Sequence, residues 1–362
     1  MRFVFGSLTI ALLGLTPSRG ASQDRPYYFY HGLKFGSEAI FNPPTKLLQG
    51  GYYILDTDNR SNNPFVVDYE AGFSNVTWNL LHPGAALGEY GWGRFLTSEV
   101  LPNPKRRAAQ WVPNYFGHIL GEGMTYRATE EWFRYYGYRH PARLAMITSL
   151  VESLLNEVVE NGSYRGTNVD PIADVYIFNP LGILLFQSEK VAAFFSGTLH
   201  MAYWPRQLVL DPVSGTLENV GHDFIFKYSI RRSGRVALFA SYGTHSLAGL
   251  TFGRPQAYSL SLGGGVMAKE LVDAEPGRPS RSLTATIVPA VGLFYDKQNS
   301  LLVSLIMAPR KDDKVSLNIY PGVLRIGGTS PGFSVTLGGA RRLSLGIHFA
   351  ALPVGLGVHG SP

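Results

Sequence analysis

The sequence predicts an α+β protein in which an N-terminal helical block precedes a C-terminal antiparallel β-barrel of the transmembrane type. Two patterns predict this division. Apolar residues recur at helical spacing within 107–195, and from 196 onward they alternate with small polar residues at a spacing of two. The predicted organisation is a signal peptide over 1–21, an aromatic and glycine-rich interfacial segment over 22–106, the helical block over 107–195 and barrel strands over 196–362.

The composition favours a protein whose surface is partly in lipid. Only 16% of the 362 residues are charged, compared with roughly 25% in typical soluble domains. The net charge of +6 forms no dense run, and its basic groups are small: Lys105-Arg106-Arg107, Arg231-Arg232 and Arg341-Arg342. Because nucleic-acid binding needs a clustered basic face, nucleic acid is excluded as an expected partner.

The first residues have the pattern of a secretory signal peptide. Arg2 is followed by an apolar run over 3–15 and by small residues up to Ala21. The run is too short to cross a bilayer as a helix. The absence of cysteine excludes a lipoprotein anchor and disulfide bonds. We therefore expect an exported protein in the outer membrane of a diderm bacterium, with the periplasm as the alternative.

The segment 22–106 combines turn-forming stretches with bulky aromatic residues such as Trp78, Tyr90 and Trp92. Such aromatic residues favour the interface between membrane and water. An ordinary packing layer rich in loops is an equally good interpretation. The sequence shows no chemistry in this segment.

Three helices are predicted in the block. The first extends from Pro113 to 136 and stops at Gly137, and the second extends from Pro141 to the Asn161-Gly162 pair. The third begins with Asp170 as its N-cap. A later apolar run over 175–185 is too short and too interrupted to be a membrane span.

Polar residues lie among the apolar positions of these helices. Asn114, His118 and Glu122 are spaced by four residues and are predicted to share one stripe, and Gly117 and Gly121 allow a close approach to the same helix.

The second helix has a predicted apolar stripe, and Glu152 lies at the edge of this stripe beside Asn156. Glu157 lies about 140° around the helix from Glu152, so the two cannot bind one ion. The stripe consists of Leu144, Ile147, Val151, Leu154, Leu155 and Val158.

The C-terminal segments place large apolar residues on one face of each predicted strand and Ser, Thr or Gly on the other. A soluble β-sandwich would carry Lys, Glu and Arg on its solvent face, whereas a transmembrane barrel has large apolar residues toward lipid. The sequence therefore favours the barrel, with strands of about ten residues. The clearest examples are 258–263, 315–319, 333–338 and 343–349.

His118, Glu152 and Asp174 are the candidate catalytic residues, because a His with carboxylates on neighbouring helices can form a general base or a metal site. The alternative is a polar network that fixes helix packing. Neither a metal nor a cofactor can be assigned from these residues, and no compact catalytic motif is present. The candidate supporting residues are Asn114, Glu122, Arg127, Asn156 and Asp170.

Several short motifs carry a resemblance to a family. They are Phe41-Asn42-Pro43, Gly51-Tyr52-Tyr53-Ile54-Leu55, Asn114-Tyr115-Phe116-Gly117-His118-Ile119-Leu120-Gly121, Tyr126-Arg127, Glu152, Asp174 and Asn179-Pro180-Leu181-Gly182. Over about 30–190 the chain resembles an uncharacterised family of bacterial exported proteins that join such a helical block to outer-membrane strands. The resemblance implies a place in the cell envelope and no established activity. The chain departs from the family at Asn156, where a second acidic residue is expected, and at 164–169, which has the character of an insertion. A metal site that needs the missing carboxylate is therefore in doubt.

Three functional hypotheses follow from these observations. The first is an outer-membrane β-barrel with a helical plug or periplasmic cap, which binds or handles lipid or supports the envelope. The second is a membrane-associated hydrolase or acyltransferase that acts on lipid through His118, Glu152 and Asp174. The third is a soluble periplasmic β-sandwich that binds a ligand. Membrane lipid is the expected partner of the first two.

Overall fold

The computed structural model describes residues 25–103, 111–162, 166–230, 235–273, 283–311, 313–339 and 342–360. The predicted signal peptide and the basic groups at 105–107 and 231–232 lie outside these ranges.

The described chain is helical up to Thr198. The α-helices are α1 (Gly36–Ala39), α2 (Pro43–Tyr52), α3 (Tyr69–Leu81), α4 (Pro83–Tyr90), α5 (Trp92–Phe95), α6 (Trp111–Pro113), α7 (Gly123–Tyr135), α8 (Pro141–Glu160), α9 (Asp170–Ala173), α10 (Asn179–Gln187) and α11 (Glu189–Ala193). Single 3₁₀ turns occur at Tyr53–Leu55 and Pro64–Val66.

Helices α1 to α5 lie in the segment 22–106, to which the sequence analysis assigned no regular elements. Their start signals are local. The side chain of Asn42 accepts a hydrogen bond from the amide of Thr45 at the start of α2, and that of Asp68 accepts one from Ala71 at the start of α3. The glycine and aromatic content of the segment masked these caps.

The predicted helix boundaries of the block are largely confirmed. Residues from α6 to α7 form one continuous helical run that ends before Gly137, whose φ of 77° is the left-handed conformation of a helix stop. Helix α8 begins at Pro141 as predicted. Helix α9 has Val169 at its N-cap, one residue before the predicted cap at Asp170.

Parts of these helices have the wider π-helical turn, which often occurs at functional sites. Within the described residues, π-helical segments extend over Leu96–Val100, Asn114–Glu122, Asp174–Phe178 and Phe194–Thr198. The second of these contains Asn114, His118 and Glu122. The three side chains meet different partners, which are Glu99, Asn179 with Asp174, and Lys46.

The second half of the described chain forms one mostly antiparallel sheet of thirteen strands in the order β1-β4-β5-β6-β7-β8-β9-β10-β11-β12-β13-β2-β3. The strands are β1 (Ala202–Pro205), β2 (Val209–Asp211), β3 (Thr216–Glu218), β4 (His222–Ser229), β5 (Val236–Gly243), β6 (His245–Gly253), β7 (Tyr258–Asp273), β8 (Leu283–Lys297), β9 (Ser300–Met307), β10 (Val315–Ile319), β11 (Gly332–Leu337), β12 (Leu343–His348) and β13 (Gly355–Gly360).

The sheet curls so that its two ends come near each other. Strand β1 lies at one end of the order and β2 near the other, yet only three residues, 206–208, separate them in the chain. Within this link, the side chain of Gln207 donates hydrogen bonds to the carbonyls of Ile319 (3.1 Å) and Phe333 (3.0 Å). The α+β class and a barrel-like C-terminal half are thus confirmed.

The strand lengths differ from the predicted ten residues. Strands β7 and β8 have 16 and 15 residues, whereas β10 to β13 have only five or six. Six residues of antiparallel strand extend about 20 Å, since each residue adds about 3.4 Å.

The exposed side of the sheet carries mainly large apolar side chains, as the alternation predicted, whereas the buried side carries both small polar and large apolar ones. Leu262 on β7 is 55% exposed, whereas its neighbour Ser261 is fully buried. We call the exposed side the outer face. The inner face is filled by side chains of the strands, including the packed rings of Trp204, Phe239 and Phe294.

The helical block packs on the outer face of β4 and β5 near one end of these strands. Phe224 and Tyr242 are paired across β4 and β5 and lie on the outer face. Residues two positions apart on a strand share a face, and Tyr228 and Leu238, which are paired in the same row, are exposed. A Cβ atom on Gly121 would lie 2.3 Å from the ring of Phe224, so this glycine permits the close contact that was predicted for it.

Helix α8 buries several polar side chains and exposes several apolar ones. Thr148, Glu152 and Asn156 are buried, whereas Ile147 is 51% exposed and Leu154 is 38% exposed. The predicted apolar stripe is therefore divided, since Leu155 and Val158 are buried and Leu144 and Val151 are half-buried. Among the described residues, no helix is both long and apolar enough to cross a bilayer.

Candidate functional site

A cavity of about 310 Å³ lies between the helical block and the outer face of β5 to β8. Polar groups of the block form one wall, including His118, Glu157, Asp170 and Asp174. Residues of the strands form the other wall: Tyr242, Ser246, Val266, Ala268, Leu271, Thr284, Ala285 and Ile287. We treat this cavity as the candidate site because it joins a polar cluster to a partly apolar wall.

Two π-helical segments bring His118 and Asp174 together. The Nε2 atom of His118 lies 3.2 Å from Oδ2 of Asp174. His118 belongs to Asn114–Glu122, and Asp174 is the first residue of Asp174–Phe178. Two of the three predicted catalytic residues are therefore adjacent in the fold.

The backbones of these segments approach closely because of two glycines. A Cβ atom on Gly182 would lie 2.6 Å from the carbonyl oxygen of His118. A Cβ atom on Gly123 would lie 2.6 Å from the carbonyl oxygen of Gly182. Since no real Cβ tolerates such distances, glycine at both positions allows α10 to hold the backbone of His118 in place.

Asn179 at the start of α10 orients the imidazole of His118. The amide nitrogen of Asn179 donates to Oγ of Ser153 (2.8 Å), which leaves its Oδ1 as the acceptor for Nδ1 of His118 at 3.0 Å. The hydrogen on Nδ1 therefore points at Asn179, and Nε2 faces the carboxylates.

Glu157 and Asp170 complete a carboxylate cluster around Asp174. One oxygen from each of the three side chains lies within 4.8 Å of the others. Glu157 and Asp174 are buried, and Asp170 is half-buried. Oε2 of Glu157 and Oδ1 of Asp174 have no hydrogen-bond partner within the described ranges.

Burial and mutual repulsion disfavour the charged forms of these groups. Burial, together with repulsion by Asp170 and Asp174, raises the pKa of Glu157 well above its ordinary value. Burial and repulsion by Asp174 raise the pKa of Asp170 in the same way. Burial also raises the pKa of Asp174, although His118 opposes the shift. The cluster therefore favours a bound proton or another positive charge.

Glu152, the third predicted catalytic residue, lies in a different cluster. Its carboxylate and that of Glu122 both bond to the ammonium of Lys46, with a distance of 2.9 Å from Nζ to Oε2 of Glu122. Burial and repulsion by Glu122 raise the pKa of Glu152 well above its ordinary value. Burial opposes ionisation of Glu122, but Lys46 and Glu152 lower the pKa of Glu122 to about 2. This cluster holds α2, α8 and the π-helical segment together.

A search for similar proteins found nothing. No protein-family model, curated protein or solved structure matches the chain. The resemblance to exported bacterial proteins therefore stays a prediction, and the argument for a function depends on the geometry of this fold.

The remaining supporting residues make structural contacts at different places. The side chain of Asn114 donates to the carbonyl of Glu99 (2.9 Å), and that of Asn156 donates to the carbonyl of Gly50 (3.2 Å). Arg127 is buried and pairs with Glu131 at 2.9 Å. Of the predicted supporting residues, only Asp170 is a member of the carboxylate cluster beside His118 and Asp174, although Asn114 and Asn156 also line the cavity.

Sequence reasoning missed three residues of these clusters. Glu157 was correctly separated from Glu152 by its angle on the helix, but was not joined to Asp174. Asn179 was noted only as part of a family motif. Nothing in the sequence indicated that Lys46 is buried, because a single lysine is most often exposed.

A second cavity, of about 340 Å³, lies beside the N-terminal segment and β1. In this cavity His31 is already paired with Glu38, at 3.4 Å. We therefore give it no functional role.

Glu99 supplies a test of the electrostatics in the block. Burial, with a smaller effect of Asp174, raises the pKa of Glu99 from 4.5 to about 7. Because the folded pKa exceeds the unfolded one, the stabilising effect is complete below pH 4.5 and is lost as the pH rises through 7. We expect the free energy of unfolding of wild type to fall by roughly 2.5 kcal/mol relative to that of Glu99→Gln between pH 5 and pH 8.

Urea unfolding of both proteins across this range, with EDTA present, measures the difference. A parallel pH dependence of the two proteins would contradict the prediction.

Proposed function

We propose that the protein is an outer-membrane barrel-type protein whose helical block lies at the periplasmic side, and that it has a binding or structural role in contact with lipid. The single observation that supports this proposal is the inversion of its surface. Apolar side chains on the outer face of the sheet are exposed, whereas Ser, Thr and Asn side chains on the inner face are buried. A sheet face in contact with water would usually carry polar and charged side chains at such exposed positions.

The outer face forms a band rather than scattered positions. Leu250, Leu262 and Leu293 are directly paired across β6, β7 and β8, and each is at least 39% exposed. Contiguous exposed apolar surface of this kind marks contact with a membrane or another apolar partner.

Helix α8 extends the same character to the helical block. Met146, Ile147, Leu150 and Leu154 are exposed along one side, while the opposite side buries carboxylates. An amphipathic helix with its apolar side outward is suited to lie along a membrane surface. The block and the outer face of the sheet would then contact the same bilayer.

Carbonate extraction of membranes from cells that make the native protein tests the location. We expect the protein to stay in the membrane pellet, and to sediment with outer-membrane markers on a density gradient, because its apolar surface is buried in lipid. Detergent should release it in folded form. Recovery of folded protein in the carbonate-soluble fraction would refute the proposal.

A lipid-modifying enzyme is the second candidate, and the pairing of His118 with Asp174 inside a cavity is the observation in its favour. However, Nδ1 of His118 bonds to Asn179 and Nε2 faces Asp174, so neither nitrogen is directed at a substrate. Glu152 is bonded to Lys46 instead of joining them. The geometry therefore supports this candidate less well.

The β-sandwich hypothesis receives the least support. The described strands form a single hydrogen-bonded sheet rather than two facing sheets. Their large apolar side chains are exposed on its outer face.

A further inference from the structure

We propose that the protein binds one divalent transition-metal ion at the wall of the cavity, held by Glu157, Asp170, Asp174 and Nε2 of His118. This inference goes beyond the proposed membrane role and does not depend on it. The site uses side chains from three helical runs of the block, which are 111–135, α8 and 170–187.

The distances fit a single ion. Oxygens that bind one ion such as Zn²⁺ at about 2.2 Å can be at most about 4.4 Å apart. The three carboxylate oxygens lie within 4.8 Å of one another, so a shift of a few tenths of an ångström brings them onto one ion. Adjacent ligand atoms around such an ion are about 3 Å apart, close to the 3.2 Å between Nε2 of His118 and Oδ2 of Asp174.

Two ligand atoms are unpartnered although they are buried. Glu157 and Asp174 are each 2% exposed, and Oε2 of the first and Oδ1 of the second accept no hydrogen bond within the described ranges. A buried carboxylate oxygen without a donor is costly, and a cation would satisfy both oxygens at once.

The charge of the cluster also requires compensation. Among the described residues, His118 is the only basic side chain in an ion pair with any of the three carboxylates. With all three carboxyls ionised, the cluster would carry excess negative charge in a buried place. A divalent ion would neutralise most of it.

The orientation of His118 matches that of a metal ligand. A ligating histidine usually donates its other ring hydrogen to a neighbouring acceptor, which fixes the ring. Asn179 is that acceptor here, and Ser153 fixes the amide of Asn179. A site of one imidazole and several carboxylates suits ions such as Mn²⁺ and Zn²⁺.

The test is metal binding by the full chain purified in detergent and stripped with EDTA. Equilibrium dialysis against MnCl₂ or ZnCl₂, each alone, with elemental analysis gives the stoichiometry and affinity. We expect one ion per chain for at least one of the two metals. Glu157→Gln and Asp174→Asn should each weaken its binding at least tenfold.

Glu152→Gln is the matched control, because it changes a buried carboxylate on the same helix as Glu157 but outside the cluster. It should bind metal within about twofold of wild type. If the first two variants fail to fold by circular dichroism, His118→Ala replaces them, with the same expected tenfold loss.

Three results would overturn the proposal. The first is no binding of either ion by the folded wild type, which would indicate that Glu157 and Asp174 share a proton instead. The second is unchanged affinity in the cluster variants, and the third is an equal loss in Glu152→Gln.

Discussion

Replacing Lys46 with methionine should destabilise the protein by about 3–5 kcal/mol, because it leaves two buried carboxylates without their cation. Lys46 is 1% exposed, and among the described residues it is the only lysine or arginine that pairs with Glu122 and Glu152. Methionine preserves the length and apolar stem of the side chain, so lost packing contributes little. Urea unfolding at pH 7 measures the change.

The matched control for this substitution is Glu152→Gln, which keeps one carboxylate opposite one ammonium. We expect it to change stability by about 1 kcal/mol or less, because burial already disfavours a charge at Glu152. An equal cost for both variants would contradict the ion-pair interpretation. It would indicate that packing of α2 against α8 dominates.

Replacing Leu262 with arginine should cost about 2–4 kcal/mol in a phospholipid bilayer, if the outer face of the sheet contacts hydrocarbon. Leu262 is 55% exposed and is the fifth of the 16 residues of β7, and it is paired with Leu250 on one side and Leu293 on the other. In water, the same substitution at an exposed position would change stability by at most about 0.5 kcal/mol. Urea unfolding in vesicles therefore separates the two environments.

Val213→Arg is the matched control for the lipid-facing substitution. Val213 is 90% exposed, but it lies in the turn between β2 and β3 rather than on the outer face. We expect this variant to behave as wild type in vesicles. If Leu262→Arg and Val213→Arg had equal effects, the outer face would not be in hydrocarbon.

Much of the fold could be predicted because its signals are local. Proline at the start of α8, glycine after α7 and the alternation in the strands each act within a few residues. The helices of 36–95 were missed because their caps, such as Asn42, are single side chains among glycine and aromatic residues. The short strands β10 to β13 could not be told from longer ones, because periodicity does not fix where hydrogen bonding ends.

The candidate site was predicted only in part, for a different reason. Neighbouring positions on one helix can be compared by angle, and this correctly separated Glu152 from Glu157. The partners of each came from elsewhere in the chain: Lys46 is 106 residues from Glu152, and Asn179 is 61 residues from His118.

The short link over 206–208 has a consequence for the order of assembly. Strand β2 has its neighbour β13 about 146 residues later in the chain, since Val209 pairs with Gly355 in parallel. During synthesis, the edge of β2 that pairs with β13 has no partner until nearly the whole sheet has emerged. We therefore expect the pairing of β2 with β13 to be the slow, late event of folding. We also expect the exposed edge of β2 to be the place where an unfinished chain is most prone to aggregate.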